Sequence, residues 1–133
     1  MTELPQPIRN ADSEHYWEAM QSSSLHLQIC KDCGKIEFMP RHMCTACWSP
    51  NRDWIEASGH GTVHSFSIVH RASDPAFTSR VPYVVALIDL EEGVRMPSSI
   101  AGDDALSVAI GDAVKMTFED RGSTKLAVFT LDK

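Results

Sequence analysis

Cys30-Lys31-Asp32-Cys33-Gly34 and Cys44-Thr45-Ala46-Cys47, two C-x2-C pairs separated by ten residues, decide the reading of this chain. Each pair sets two thiolates on one side of a tight turn. Two such knuckles facing each other complete a tetrahedral site with metal–sulfur distances of roughly 2.3 Å. Four soft ligands favour Zn(II), with Fe second. Gly34 follows the first pair, where a residue without a Cβ lets the chain turn and aim backbone N–H groups at the sulfurs. We therefore expect a structural four-thiolate site at Cys30, Cys33, Cys44 and Cys47; a vestigial site or a redox dithiol are the competing readings. A catalytic metal would need an open coordination position, which four thiolates fill. His42, two residues before Cys44, reads as a surface histidine in preference to a substitute ligand. The gap between the knuckles is long enough for a hairpin over 36–41. A module of this size cannot hold itself together by burial alone, so the metal is expected to supply its folding free energy.

Working outward, Leu25, Leu27 and Ile29 alternate with His26 and Gln28, a short strand running into Cys30. Before it, EHYWEAMQ follows Asp12 or Ser13, either a good N-cap, and spaces Tyr16, Trp17 and Met20 as one face of an amphipathic helix. That face must cover either this chain's own core or a partner's groove, and the intramolecular reading is preferred. Residues 1–11, with two prolines, read as an arm. Beyond Ser49-Pro50-Asn51, the pair Gly59 and Gly61 marks a bend or bulge. Five strands then follow: Thr62–His70, Tyr83–Leu90, Val94–Ile100, Ala113–Glu119 and Leu126–Leu131, with a polar loop over 71–82 and a short helical turn after Asp104. Five short strands hide their edges most economically in a closed barrel of OB type, with an SH3-like barrel as the competitor. The expected organisation is an arm and helix over 1–24, a ribbon over 25–57 and a barrel over 58–133, all-β apart from the short helix.

The 133 residues carry 12 Lys+Arg against 18 Asp+Glu, a net charge of −6. That balance argues against general binding to nucleic acid or anionic membranes, since counterion release at phosphates needs a surplus of cations. The longest apolar stretch, Tyr83 to Leu90, is interrupted by Asp89, and the N-terminus has no apolar run behind a basic start. A cytoplasmic protein is expected, where paired cysteines bind metal more often than they form disulfides. There is no G-x-S-x-G, H-E-x-x-H or G-x-x-x-x-G-K-[ST] motif. His60, His64 and His70 would share one face of an unbroken strand, and a polar barrel face accounts for them better than acid–base chemistry. Intrinsic catalysis is not expected.

Taken in order, YWEAM, Leu25 to Gly34, Pro40-Arg41-His42-Met43-Cys44, Gly59-His60-Gly61-Thr62-Val63, Pro82 to Ile88 and Glu92-Gly93-Val94-Arg95 resemble a known two-module family. It joins a rubredoxin-like zinc ribbon to an OB-fold and is associated with acyl-CoA metabolism. The resemblance spans roughly residues 14 to 131. Two departures stand out: the C-terminal strand lacks the proline-rich ending often seen there, and Met96-Pro97-Ser98-Ser99 replaces an uninterrupted third strand. Membership implies a non-catalytic accessory subunit that binds and stabilises a thiolase-like enzyme, an acyl-CoA thiolase, acyltransferase or retro-aldolase, whose CoA channel it can border. A hetero-oligomer of two plus two copies is the natural assembly.

CoA phosphates need two or three cations around an apolar slot, and Arg41, Arg71, Arg80 and Arg95 are the candidate contacts for CoA or acyl-CoA. Tyr16, Trp17 and Phe77, the last in the longest barrel loop, are the candidate partner interface. Deleting residues 1–22 is expected to leave a folded, metal-bound protein that has lost its partner. The alternative function is a single-stranded nucleic-acid-binding OB-fold, which would use stacking aromatics. Phe66, Phe118 and Phe129 instead fall in apolar strand context, where core packing accounts for them.

Overall fold

Met20, Leu25 and Leu27 carry at most 1% of their surface to solvent, and they fasten the N-terminal third of the chain to the rest. The computed structural model describes residues 7, 8, 10–122 and 124–132. Most of the expected N-terminal arm, residues 1–6 and 9, and Ser123 of the last turn lie outside the described residues. Helix α1 (Glu14–Gln21) begins at Ser13. Its entry is fixed by a reciprocal pair: Ser13 N–H donates to Asn10 Oδ1 at 2.9 Å and Asn10 N–H donates to Ser13 Oγ at 3.1 Å. Tyr16 and Met20, one turn apart, face inward. The helix thus covers this chain's own core. Removing residues 1–22 would take both side chains out of that core, so the truncation expected above to stay folded would damage the fold itself.

Three strands build the ribbon: β1 (His26–Cys30), β2 (Ile36–Glu37) and β3 (Arg52–Glu56), antiparallel in the order β2-β1-β3. The hairpin expected over 36–41 does not form. β2 is only two residues long and pairs back across the first knuckle, Gln28 with Glu37 and Ile29 with Ile36. Two features end it: Met39 takes a left-handed φ of 70°, and the backbone of Arg41 is occupied. Gln28, buried in β1, accepts from Arg41 N–H at 2.7 Å and donates to Arg41 C=O at 3.0 Å, so its amide substitutes for a strand partner.

The barrel consists of β4 (His60–Val69), β5 (Tyr83–Leu90), β6 (Arg95–Ala101), β7 (Ala113–Arg121) and β8 (Thr124–Leu131), closed in the order β4-β5-β6-β8-β7. Only β6 and β8 run parallel, joined at Ile100–Phe129 and Ala101–Thr130. This is the OB-fold order, and it sets aside the SH3-like alternative. In β5 the alternation is plain: Val84, Ala86, Ile88 and Leu90 are buried between exposed Val85 and Leu87. Phe129, Val84 and Ile88 are fully buried and belong to one cluster with Met20, Leu25 and Leu27.

Three details differ from the sequence expectations. The register of β4 against β5 shifts between Val63 and Ser65, leaving His64 as a bulge. Val63 faces inward before it and Phe66 and Ile68 after it, so the alternation changes phase, and His70 lies beyond the end of β4 at Val69; no unbroken strand carries the three imidazoles. Pro97 does not break β6, which pairs with β5 continuously from Arg95 to Ile100. The loop over 71–82 contains a 3-10 turn, Pro75–Arg80, started by Asp74 accepting from Ala76 N–H at 2.9 Å. Among the described residues no helix is long and apolar enough to cross a membrane.

Gly61, where β4 meets both β5 and β7, has no room for a side chain. A Cβ there would sit 2.6 Å from the Asp89 carbonyl oxygen and 2.9 Å from Ile88 Cγ2. Since the first obstacle is backbone, Gly61→Ala is expected to cost about 1–3 kcal/mol, read as a lowered urea midpoint with unchanged slope.

Candidate metal centre

The ribbon brings the four thiols together as the spacing required. Their sulfurs all lie within 4.8 Å of one another, with Cys30 Sγ 3.5 Å from Cys47 Sγ and Cys33 Sγ 3.6 Å from Cys44 Sγ. A tetrahedral centre with metal–sulfur bonds of about 2.3 Å has sulfur–sulfur edges of about 3.8 Å, so this cluster needs only small adjustment to enclose a metal. Backbone amides already serve as donors to the sulfurs, Cys33 N–H to Cys30 at 3.4 Å and Ala46 N–H to Cys44 at 3.3 Å. The Cys33 amide is also the leading reason the Cys30 thiol is drawn down to about 6, while at Cys33 and Cys47 the neighbouring thiols and burial outweigh the backbone bonds and push the thiols up. Four cysteines, two buried and two exposed, thus form a ready soft-ligand site. His42 is exposed and outside it.

The two knuckles repeat one geometry. Gly34 N–H donates to Cys30 C=O and Trp48 N–H to Cys44 C=O, both at 2.9 Å; Cys30 N–H donates to Lys35 C=O and Cys44 N–H to Ser49 C=O, also at 2.9 Å. The residue after each second cysteine must therefore be left-handed, and φ is 79° at Gly34 and 66° at Trp48. A tryptophan in the glycine position, with 74% of its surface exposed, was not flagged by the sequence. Only the symmetry of the C-x2-C-x repeat, Gly34 against Trp48, could have pointed to it.

Polar groups clamp the knuckles together. Asp32 accepts from the Ser49 hydroxyl and from Asn51 Nδ2, and these bonds hold its carboxyl below the usual carboxylate range. Glu37, 6% exposed, accepts from Thr45 N–H at 3.0 Å and Thr45 Oγ1 at 3.1 Å and pairs with the equally buried Arg52 at 3.6 Å. Burial pushes the Glu37 carboxyl up, but the two Thr45 bonds and Arg52 outweigh it and the net shift is downward. Neither Glu37 nor Arg52 stands out in sequence.

The four arginines singled out as CoA contacts do not converge. Arg80 pairs with Glu119 at 2.9 Å and Arg95 with Asp89 at 2.6 Å. Arg80 precedes the start of β5 and Asp89 is near its end, which puts about 20 Å of strand between the two pairs. Arg71 is exposed on the Arg80 side, and Arg41, in the ribbon, reaches Glu37 only at 3.9 Å. Of the aromatic candidates, Tyr16 is 6% exposed and Trp17 half-buried. Phe77 is half-buried 5.9 Å from the Tyr83 ring and 5.8 Å from the Arg121 guanidinium. His64 lies 3.5 Å from Asp89, so the bulge joins the Arg95 ion pair.

Glu119 joins the 71–82 loop to β7 by bonding both Arg80 and Arg121, the latter at 2.7 Å. Burial raises its carboxyl, yet the two arginines prevail and hold it below its ordinary value of 4.5. A depressed carboxylate contributes stability that is complete above the unfolded value and is lost as pH falls through the folded one. Glu119→Gln is therefore expected to cost about 1 kcal/mol at pH 7, with the gap to the unaltered protein closing as pH drops below 4.5. Urea midpoints at neutral and acid pH measure it.

Four thiols gathered in a ribbon ahead of a five-stranded OB barrel define a class of two-module proteins. Within that class, the chain belongs to the ChsH2-type DUF35 family. It matches "ChsH2, rubredoxin-like zinc ribbon domain" over residues 17–51 and "ChsH2, C-terminal OB-fold domain" over residues 54–119. It is 39% identical over 90 residues to a "DUF35 domain-containing scaffold protein" of Methanothermobacter thermautotrophicus, covering 67% of each chain. It is 35% identical over 120 residues to the "3-oxo-4,17-pregnadiene-20-carboxyl-CoA hydratase alpha subunit" of Mycobacterium tuberculosis, covering 88% of this chain and 37% of that one. It is 35% identical over 74 residues to the "Benzoylsuccinyl-CoA thiolase subunit BbsA" of Geobacter metallireducens, covering 56% and 48%. The chain spans about a third of the length of the hydratase alpha subunits it matches. Among solved structures, a chain of the "Ltp2-ChsH2(DUF35) aldolase" superposes with a TM-score of 0.85 at 32% identity, over 95% of this chain and 98% of that one. Its relatives are thus named as scaffold proteins and as subunits of hydratase, thiolase and aldolase assemblies.

Proposed function

We propose that this chain is a non-catalytic accessory subunit that binds and stabilises a thiolase-like enzyme. The observation that carries the reading is the end-to-end superposition, 98% of the partner structure's chain, on a component of an aldolase assembly. A relative that is itself a thiolase subunit points the same way. In this reading the substrate and the chemistry belong to the partner.

The metal is Zn(II), held by Cys30, Cys33, Cys44 and Cys47, and it supplies the ribbon's folding free energy and no chemistry. Ribbon and barrel divide between the end of β3 at Glu56 and the start of β4 at His60, in keeping with modules over 25–57 and 58–133. Trp48, Met39 and Met43, exposed around the second knuckle, suit a protein contact better than the buried Tyr16 does. Arg71 and Arg41 are the cations best placed to approach a CoA bound to the enzyme, since Arg80 and Arg95 are held in short ion pairs. The assembly contains two copies of each chain and resides in the cytoplasm, where the thiols stay reduced.

The test is affinity purification of the tagged chain from its host with identification of what accompanies it. A thiolase-superfamily protein in stoichiometric amount is the expected result. Recovery of nucleic acid in its place would transfer the function to the OB barrel as a binding module, and recovery of the chain alone would remove the accessory-subunit reading.

A further inference from the structure

His15, on α1, and His26, at the start of β1, meet with His15 Nε2 2.9 Å from His26 Nδ1 and their ring centroids 5.1 Å apart. The His15 imidazole lies flat on the Trp54 indole, 4.2 Å between centroids and 12° from parallel. Trp54 is registered against Gln28, two residues along β1 from His26, so His26 and Trp54 stand on one face of the ribbon sheet and the helix brings His15 onto it. His15 is exposed and His26 half-buried, which leaves the pair open to ions from solvent.

Three properties of this pair point to a ligand. The first is preorganisation. Stacking on Trp54 fixes the plane of the His15 ring, so Nε2 is aimed before anything binds and less freedom remains to be lost. The second is spacing. Metal–nitrogen bonds of about 2.05 Å place two donors about 2.9 Å apart when they subtend a right angle at the ion, and about 3.35 Å apart when the angle is tetrahedral. The observed 2.9 Å is the right-angled edge, which suits Ni(II) and Cu(II) with nitrogen and oxygen donors. The third is charge. Glu18, three residues along α1 on the same side of the helix, and Asp53, beside Trp54, both act electrostatically on His15. A proton shared between two neutral imidazoles is the competing account of the same separation, and only a metal site makes the pair take up an ion.

We propose that His15 and His26 are two ligands of a second metal site, for a divalent ion of right-angled coordination, Ni(II) or Cu(II), with oxygens of water or of the neighbouring carboxylates at the remaining positions. One ligand comes from α1 and the other from β1, so the ion fastens the helix to the ribbon and its binding opposes unfolding. The inference concerns the chain itself and does not rest on the accessory-subunit reading, so either can fail without the other.

The test titrates Ni(II) into the zinc-loaded full chain by calorimetry, with the zinc content measured before and after. One Ni(II) per chain is expected with the zinc retained, together with a raised urea midpoint. His15→Phe keeps an aromatic ring on Trp54 and removes the nitrogen, and His26→Gln removes the second ligand. Each is expected to weaken Ni(II) binding at least tenfold and to cancel the rise in midpoint, with midpoints in the absence of Ni(II) showing that both variants fold. His42→Gln, outside the pair, is expected to bind as the unaltered chain does. The proposal is overturned if the unaltered chain takes up no Ni(II) saturably, the result of a merely shared proton, or takes it up only by displacing zinc. It is equally overturned if either His15→Phe or His26→Gln binds as the unaltered chain does, or if His42→Gln loses as much as they do. A midpoint that bound Ni(II) leaves unmoved would contradict the fastening of α1.

Discussion

Removing the metal, by chelation or by Cys44→Ser, is expected to unfold residues 30–51 while the five-stranded barrel stays closed. Between Cys30 and Asn51 the backbone makes only the two-residue β2 pairing, the knuckle turns and one bond from Lys31 N–H to Asn51 C=O, and apart from Cys30 and Cys44 no apolar side chain in that span is fully buried. What holds it is the thiol cluster with the Asp32 and Glu37 bonds across it. Structural sites of this type contribute an apparent binding free energy of about 10–16 kcal/mol at neutral pH, far more than those bonds supply. The barrel has its own support, because Val84, Ile88, Met96 and Phe129 are buried independently of the knuckles. Amide hydrogen exchange reads the outcome: protection should vanish over 30–51 and persist in β4 to β8. Uniform loss of protection would show that ribbon and barrel unfold as one unit. Metal release should also accelerate in acid, since protons compete for the thiolates.

Phe129→Ala is expected to be the most damaging single change in the barrel, at about 3–5 kcal/mol. Phe129 is fully buried and lies where the barrel closes, registered against Ile100 on the parallel β6 side and Met116 on the β7 side. Truncation leaves a cavity at the seam held by the shortest strand pairing in the sheet. For a domain whose total stability is about 5–15 kcal/mol, this translates to a fall in Tm of roughly 10–25 °C. A drop of only a few degrees would mean that the seam between β6 and β8 collapses to fill the space.

The metal site was legible because its chemistry is local: two C-x2-C pairs and Gly34 specify a turn, a donor type and a coordination number without long-range information. Strand β5 was equally readable, since eight residues from Tyr83 to Leu90 alternate between two environments. Tertiary context decided the rest. The bulge at His64 exists because β4 must pair with both β5 and β7 around a closed barrel, and it changes the phase of the alternation within the strand. β2 shrank to two residues because Gln28, which reads as an ordinary polar strand residue, uses its side chain as a backbone partner for Arg41. The arginines looked interchangeable in sequence, but the carboxylates opposite them, Glu119 and Asp89, lie 39 and 6 residues away and assign two of them to the fold. The left-handed backbone at Trp48 was invisible for the same reason. Each of these features is defined by what surrounds it in space.

Native mass spectrometry of the affinity-purified protein tests the central claim most directly. The accessory-subunit account predicts a complex in which each 14.8 kDa chain, carrying one zinc ion, is matched by one thiolase-type subunit. A spectrum containing only the 14.8 kDa chain with its metal, or that chain bound to nucleic acid, would contradict it.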